Sequence, residues 1–156
     1  MTSVKIELLQ EELIGLQLAA NHLAYSIDRC ASLIGRQAMP PEQLERLESL
    51  SSRFARLSDL LIQRIFRLID DIELTVGGTT LDRIYRAEKR EWAEATAMIR
   101  IRELRNLIAH EYANDKLPEL YRAVLTLSPA LLAVVPKVVA YANDLIGRYP
   151  HDRSDD

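Results

Sequence analysis

The chain has 156 residues, 48% hydrophobic and 28% charged, with 20 basic and 23 acidic side chains and a formal net charge of −3. That is one domain's length with enough apolar residues for a core, which excludes a disordered segment. The acidic balance excludes a protein that coats nucleic acid without selectivity.

Sixteen of the 20 basic residues are Arg and four are Lys. Arg is the side chain for planar, bidentate contact with carboxylate or phosphate. A single cysteine, Cys30, excludes an intramolecular disulfide framework and a cysteine-rich zinc module. Met1-Thr2-Ser3-Val4-Lys5-Ile6-Glu7 lacks a basic stretch followed by an apolar core, so no signal peptide is expected. The longest uncharged stretches, 13–27 and 123–136, are shorter than the roughly 18–20 apolar residues of a membrane span. The expectation is a cytoplasmic protein with no membrane partner.

Gly and Pro are sparse and clustered, which favours long helices over closely spaced strands. In the first segment Ile6, Leu9, Leu13, Leu16, Ala20, Leu23, Ile27 and Ala31 recur at steps of three and four, a helix with one apolar stripe. His22 in this segment reads as packed and hydrogen-bonded. Pro40-Pro41 break the chain, and Pro41 suits a first helical turn. Leu44, Leu47, Leu50, Phe54, Leu57, Leu61, Ile65, Leu68 and Ile72 then form a second stripe. Asp59, Asp70 and Asp71 read as a solvated face, one of which could steady an arginine.

Gly77-Gly78 predicts a turn, not a phosphate-cradling loop. Thr79 with Asp82 predicts a capped helix over 81–90. Residues 91–114 read as a further helix with Ala97, Ile101, Leu104 and Ile108 on one side. Trp92 reads as core or interface. The last segment, 117–147, is helical in period but contains Pro129 and Pro136, so a break or kink is expected, with Ser128 able to cap a new helix. The sum is an all-α, up-and-down helical bundle of four to five main helices over residues 1–148, with a polar C-terminal tail at 149–156.

One stretch concentrates chemistry: Arg100-Ile101-Arg102-Glu103-Leu104-Arg105-Asn106-Leu107-Ile108-Ala109-His110-Glu111-Tyr112. Five residues on a helix turn the direction by about 140°, so Arg105 and His110 of one chain do not converge on one small target. His110 and Leu107 point away from the core stripe. A two-fold could bring two Arg–His pairs to one cleft, because such an interface uses the same patch twice.

Arg105-Asn106-Leu107-Ile108-Ala109-His110-Glu111-Tyr112 resembles the R-x-x-x-x-H-x-Y signature of HEPN proteins, in particular the HepT-like toxins. Ile101-Arg102-Glu103-Leu104 and the run from Arg53 to Asp59 are also similar to that group. The resemblance implies a metal-independent endoribonuclease that acts as a homodimer, with no cofactor and no bound metal. Arg105 and His110 would be catalytic, Asn106 and Arg102 supporting. It also implies a nucleotidyltransferase antitoxin of the MNT type as partner, with AMP transfer to Tyr112 or simple masking of the site as the means of neutralisation. The chemistry is sound for RNA: imidazole can exchange a proton with a 2′-hydroxyl or a leaving 5′-oxygen, and guanidinium can hold the phosphate.

Plainer readings stand beside these. Arg105 could pair with Glu103 or Glu111 on the surface, His110 could be a solvated helix-end residue, and Tyr112 could belong to the core. The whole chain could be a non-catalytic nucleotide- or partner-binding module, or a plain interaction subunit. Residues 83–105 carry seven bases against four acids, a local excess of three positive charges. That stretch is the expected approach for RNA.

Overall fold

The computed structural model describes residues 2–36, 38–75, 77–110 and 117–149. The helices are α1 (Thr2–Cys30), α2 (Pro41–Asp59), α3 (Phe66–Ile72), α4 (Thr80–Lys89), α5 (Ala95–His110) and α6 (Leu117–Gly147). A π-helical turn, Leu60–Ile65, joins α2 to α3, and a 3-10 turn, Ala31–Leu33, follows α1. The described residues contain no strand, so the all-α bundle is as expected. Tyr112 and most of the tail lie outside the described residues.

The periodicity of α1 sets its packing: Ile6, Leu9, Leu13, Leu16, Ala20 and Leu23 are buried against α2 and α6. Ala31 lies beyond the helix and is exposed, and so is His22, which therefore faces solvent and not a packed pocket. Cys30 is fully buried, its Sγ donating to the Arg46 carbonyl at 3.3 Å. Burial pushes that thiol above its ordinary range, so it is a poor nucleophile.

Pro41 occupies the first turn of α2, where its missing N–H costs nothing. The second apolar stripe is buried as read, but not on an uninterrupted α-helix. In the π turn the Phe66 N–H reaches back five residues to the Leu61 carbonyl. One extra residue in the turn brings Ile62, Phe66 and Ile69 into the core beside Leu61, Ile65 and Leu68.

Asp70 departs from the solvated reading. It is 3% exposed and accepts from Arg86 Nε at 2.9 Å and from Arg90 Nη1 at 2.8 Å. Arg90 lies over the rings of Trp92 and Tyr141, at 5.0 and 5.6 Å from their centroids. Glu73 accepts from the Tyr141 hydroxyl and from Arg90. Burial and the Glu73 carboxylate together raise the Tyr141 hydroxyl above its ordinary range, so it stays a donor. Asp71 alone of the pair is exposed.

Thr79 and Asp82 form a full capping box: Thr79 Oγ1 accepts from the Asp82 N–H, and Asp82 Oδ2 accepts from the Thr79 N–H at 2.8 Å. Those bonds hold the Asp82 carboxyl below its usual range. Gly78, at φ 111°, approaches this carboxylate so closely that a Cβ would lie 2.5 Å from Asp82 Oδ2. The glycine pair thus serves the cap. Thr79→Ala is expected to cost about 1 kcal/mol, read as a lower midpoint in urea unfolding. The Asp82 contribution is present above the ordinary carboxylate pKa and is lost as pH falls through the lowered one.

The helix expected from residue 91 begins instead at Ala95. Glu91 takes a left-handed φ of 62°, and the Trp92 N–H closes on the Ala87 carbonyl. This reversal ends α4 and turns the Trp92 indole into the core, against Phe66 and Tyr141 at 5.2 and 5.1 Å. Ala95 N–H then donates to Glu88 Oε2 at 2.7 Å. Burial of one aromatic ring overrides continuous helical periodicity.

The break expected at Pro129 is absent; α6 runs through both prolines. Pro129 and Pro136 lie on its exposed side, where carbonyls left without a donor can bond water. Ser128 is no cap: it is buried and its hydroxyl donates to the Val124 carbonyl one turn back at 2.6 Å. By length and composition α6 is long and apolar enough to cross a membrane. Here one side of it packs on α1, α2 and α5.

Candidate functional site

The C-terminal end of α2, the π turn and the middle of α5 enclose a cleft of about 470 Å³. Arg102, Arg105 and Asn106 line it from α5; Ser58, Asp59, Ile62, Gln63 and Arg64 line it from the other wall. Three of the four residues singled out on α5 are therefore brought together.

Arg105 is gripped in a fork. Its Nε donates to Asp59 Oδ1 at 2.7 Å and its Nη2 to Asp59 Oδ2 at 2.9 Å. The partner is 46 residues away on α2, not the neighbouring Glu103. The hydrogen-bonded carboxylate raises the Arg105 guanidinium above its ordinary range, so its charge is permanent. Among the described residues two of its five N–H groups are used, which leaves three for a further acceptor. Both side chains are partly exposed, at 33% and 40%. The pair orients Arg105 more than it stabilises the fold.

The π turn explains why Arg64 joins the site. Residues five apart point in different directions on an α-helix. In a π turn the backbone bond itself spans five residues, so Asp59 and Arg64 come to the same side. Arg64 Nη1 lies 3.6 Å from Glu12 on α1. Gln63 accepts from Arg83 Nη1 at 3.2 Å, which adds a fourth guanidinium near the rim. The cleft thus gathers three guanidiniums against one carboxylate in its wall.

Not all of the local arginine excess serves this cleft. Arg86 and Arg90 are committed to Asp70 and Glu73. Part of the bias toward Arg is therefore structural: a planar cation that stacks on rings while forking to a carboxylate is a task for Arg and not Lys.

His110 ends α5 and is exposed, and it is not among the described residues that line the cleft. It lies about 7.5 Å further along the helix axis than Arg105. Leu107, between them, is 54% exposed. The described residues therefore show a basic cleft with the histidine beside it and not in it. Tyr112 falls outside the described residues.

Sequence reading placed Arg83 in the basic approach and did not find Arg64 or Gln63. Their shared placement depends on the π turn and on how α4 packs against it, and neither has a signature in residue spacing. Comparison of the chain with protein-family models, with curated proteins and with solved structures finds no match.

Proposed function

We propose that the chain is a metal-independent endoribonuclease toxin of the HEPN type, working as a cytoplasmic homodimer. The observation that carries this reading is the Asp59-oriented Arg105, set among Arg64, Arg102 and Asn106 one and a half turns from an exposed His110. The cleft holds the scissile phosphate. Arg105 forks to its non-bridging oxygens, where negative charge grows in the transition state. His110 takes the proton from the ribose 2′-hydroxyl. The 2′-oxygen attacks phosphorus, and the P–O5′ bond breaks. The partner's His110, protonated, gives its proton to the departing 5′-oxygen. The products are a 2′,3′-cyclic phosphate and a 5′-hydroxyl, and a 2′-deoxy residue at the scissile position blocks the reaction.

The geometry of one chain supports the two-fold arrangement. A cleft without its histidine is half a site, and a second copy supplies the other half. The exposed Leu107 beside His110 suits such a contact. Arg105→Ala is expected to lower cleavage about 10²–10³-fold. Three phosphate contacts, from Arg64, Arg102 and Arg105, predict that log affinity for single-stranded RNA falls with log salt at a slope of about −2. Fluorescence anisotropy across a salt series measures that slope; a flat response contradicts the cleft as a phosphate site.

Neutralisation follows from the same site. A nucleotidyltransferase antitoxin that places AMP on Tyr112 would set an anionic group beside Arg105 and His110, where RNA phosphate binds. Intact mass after incubation with such an enzyme and ATP tests this, and an unmodified chain contradicts it. The separation of His110 from the cleft within one chain favours a second reading, a non-catalytic nucleotide- or partner-binding module. Binding of RNA with no cleavage under any condition would select it.

A further inference from the structure

The outward face of α1 carries an apolar stripe that the bundle leaves uncovered. Val4, Leu8, Ile14, Leu18 and Tyr25 are all exposed, Ile14 by 74%. At about 100° per residue, Val4, Ile14, Leu18 and Tyr25 fall within a narrow band centred near Leu18. Leu8 borders that band. The band lies opposite the buried stripe that meets α2 and α6. It is long: residues 4 to 29 span about 38 Å.

Gly15 is half-buried midway along the helix, at the edge of this band, about 60° around the axis from Leu18. A glycine inside a helix costs about 0.5–1 kcal/mol relative to alanine. Its own fold does not call for one, because a Cβ at Gly15 would meet nothing within 4 Å. A bare backbone is instead what a second helix needs for close approach.

The charges on the same band are segregated. Glu7 and Glu11 lie toward its N-terminal end and Arg29 toward its C-terminal end, with the His22 imidazole between them. Arg29 and Arg53 both stand over the Tyr25 ring, at 5.9 and 6.0 Å. Lys5 points about 140° from the centre of the band, and Asp28, about 80° from it, borders the band on the side opposite Leu8. A parallel pairing of two such faces would set acids against acids. An antiparallel one sets each acidic end on a basic end, and a two-fold perpendicular to the helix produces that pairing.

We infer that the outward face of α1 is a self-complementary surface that docks antiparallel on α1 of a second copy of this chain. The two-fold crosses the helix between Leu16 and Gln17. That register sets Leu18 over the partner's Gly15, Leu8 beside the partner's Tyr25 and Glu11 beside the partner's His22. Glu7 and Val4 flank the partner's Arg29. The surface is distinct from the α5 face, and the inference does not depend on the ribonuclease reading.

Sedimentation velocity over a concentration series tests it on the full chain, with a thermal melt of each variant to show that it is folded. The wild type is expected to associate through this face, to a dimer if α1 is its one contact and beyond a dimer if the α5 faces pair as well. Glu7→Arg and Arg29→Glu should each weaken that step by about tenfold or more, because like charges then face one another. The chain carrying both changes should recover it. Gly15→Gln should melt no lower, since Gln favours helix over Gly, yet lose that step. A wild type that stays monomeric, or an association indifferent to these four chains, overturns the inference. So does a monomer that instead binds anionic vesicles through this face. RNA cleavage, measured in parallel, reports separately on the α5 site.

Discussion

His110→Ala is expected to reduce RNA cleavage about 10²–10⁴-fold, the range that a positioned general acid or base contributes. The fold should not notice. His110 is exposed at the last turn of α5, and the described structure gives its ring no bond that holds another element. The far-ultraviolet spectrum and melting temperature should match the wild type. Affinity for RNA should change little, because the proposed phosphate site is the cleft lined by Arg64, Arg102 and Arg105, which the imidazole does not enter. The loss should therefore fall on kcat with KM nearly unchanged. Parallel loss of binding would move His110 from proton transfer to substrate holding. Full activity would remove it from the mechanism.

The second large effect concerns stability. Asp70→Ala is expected to cost about 3–5 kcal/mol, because it leaves Arg86 and Arg90 without their shared acceptor in a partly buried place. Arg90 is 14% exposed at its side chain and packed over both the Trp92 and Tyr141 rings, so it cannot simply turn to water. Losing it would loosen α4, the turn that buries Trp92, and the contact of α3 with α6 through Glu73 and Tyr141. Asp71→Ala, one residue on and exposed, is the control and should cost little. Urea unfolding with matched slopes reads both. Equal midpoints for the two variants would show that the cluster is not a fold determinant.

The contrast between Asp70 and Asp71 shows what residue spacing can and cannot carry. Apolar positions at steps of three and four placed Leu9, Leu13, Phe54, Leu57, Ile101 and Leu104 in the core, because helical geometry translates spacing directly into a face. The same rule failed where tertiary packing competed with it. The π turn at Leu60–Ile65 shifts the register of α2 by one residue, so Asp59, Arg64 and Asp70 end in places that a regular helix would not give them. Glu91 breaks a stretch of good helical spacing because the Trp92 ring is worth burying. Pro129 and Pro136 were read as breaks, yet exposure of their side of α6 makes them tolerable.

The site was partly legible for the same reasons. Arg102, Arg105 and Asn106 sit on one regular helix, and they share the cleft. The 140° between Arg105 and His110 was arithmetic on that helix, and the cleft has Arg105 without His110. The orienting carboxylate, Asp59, lies on another helix 46 residues away. It was recognisable only as one of three aspartates that could serve.

The most direct test is the end chemistry of cut RNA. A defined single-stranded RNA is incubated with the protein in EDTA, and the fragments are resolved by mass. The account predicts fragments ending in 2′,3′-cyclic phosphate and beginning with 5′-hydroxyl, lost with His110→Ala and with a 2′-deoxy scissile residue. RNA left intact, or fragments with 3′-hydroxyl and 5′-phosphate ends that require a divalent ion, would contradict it.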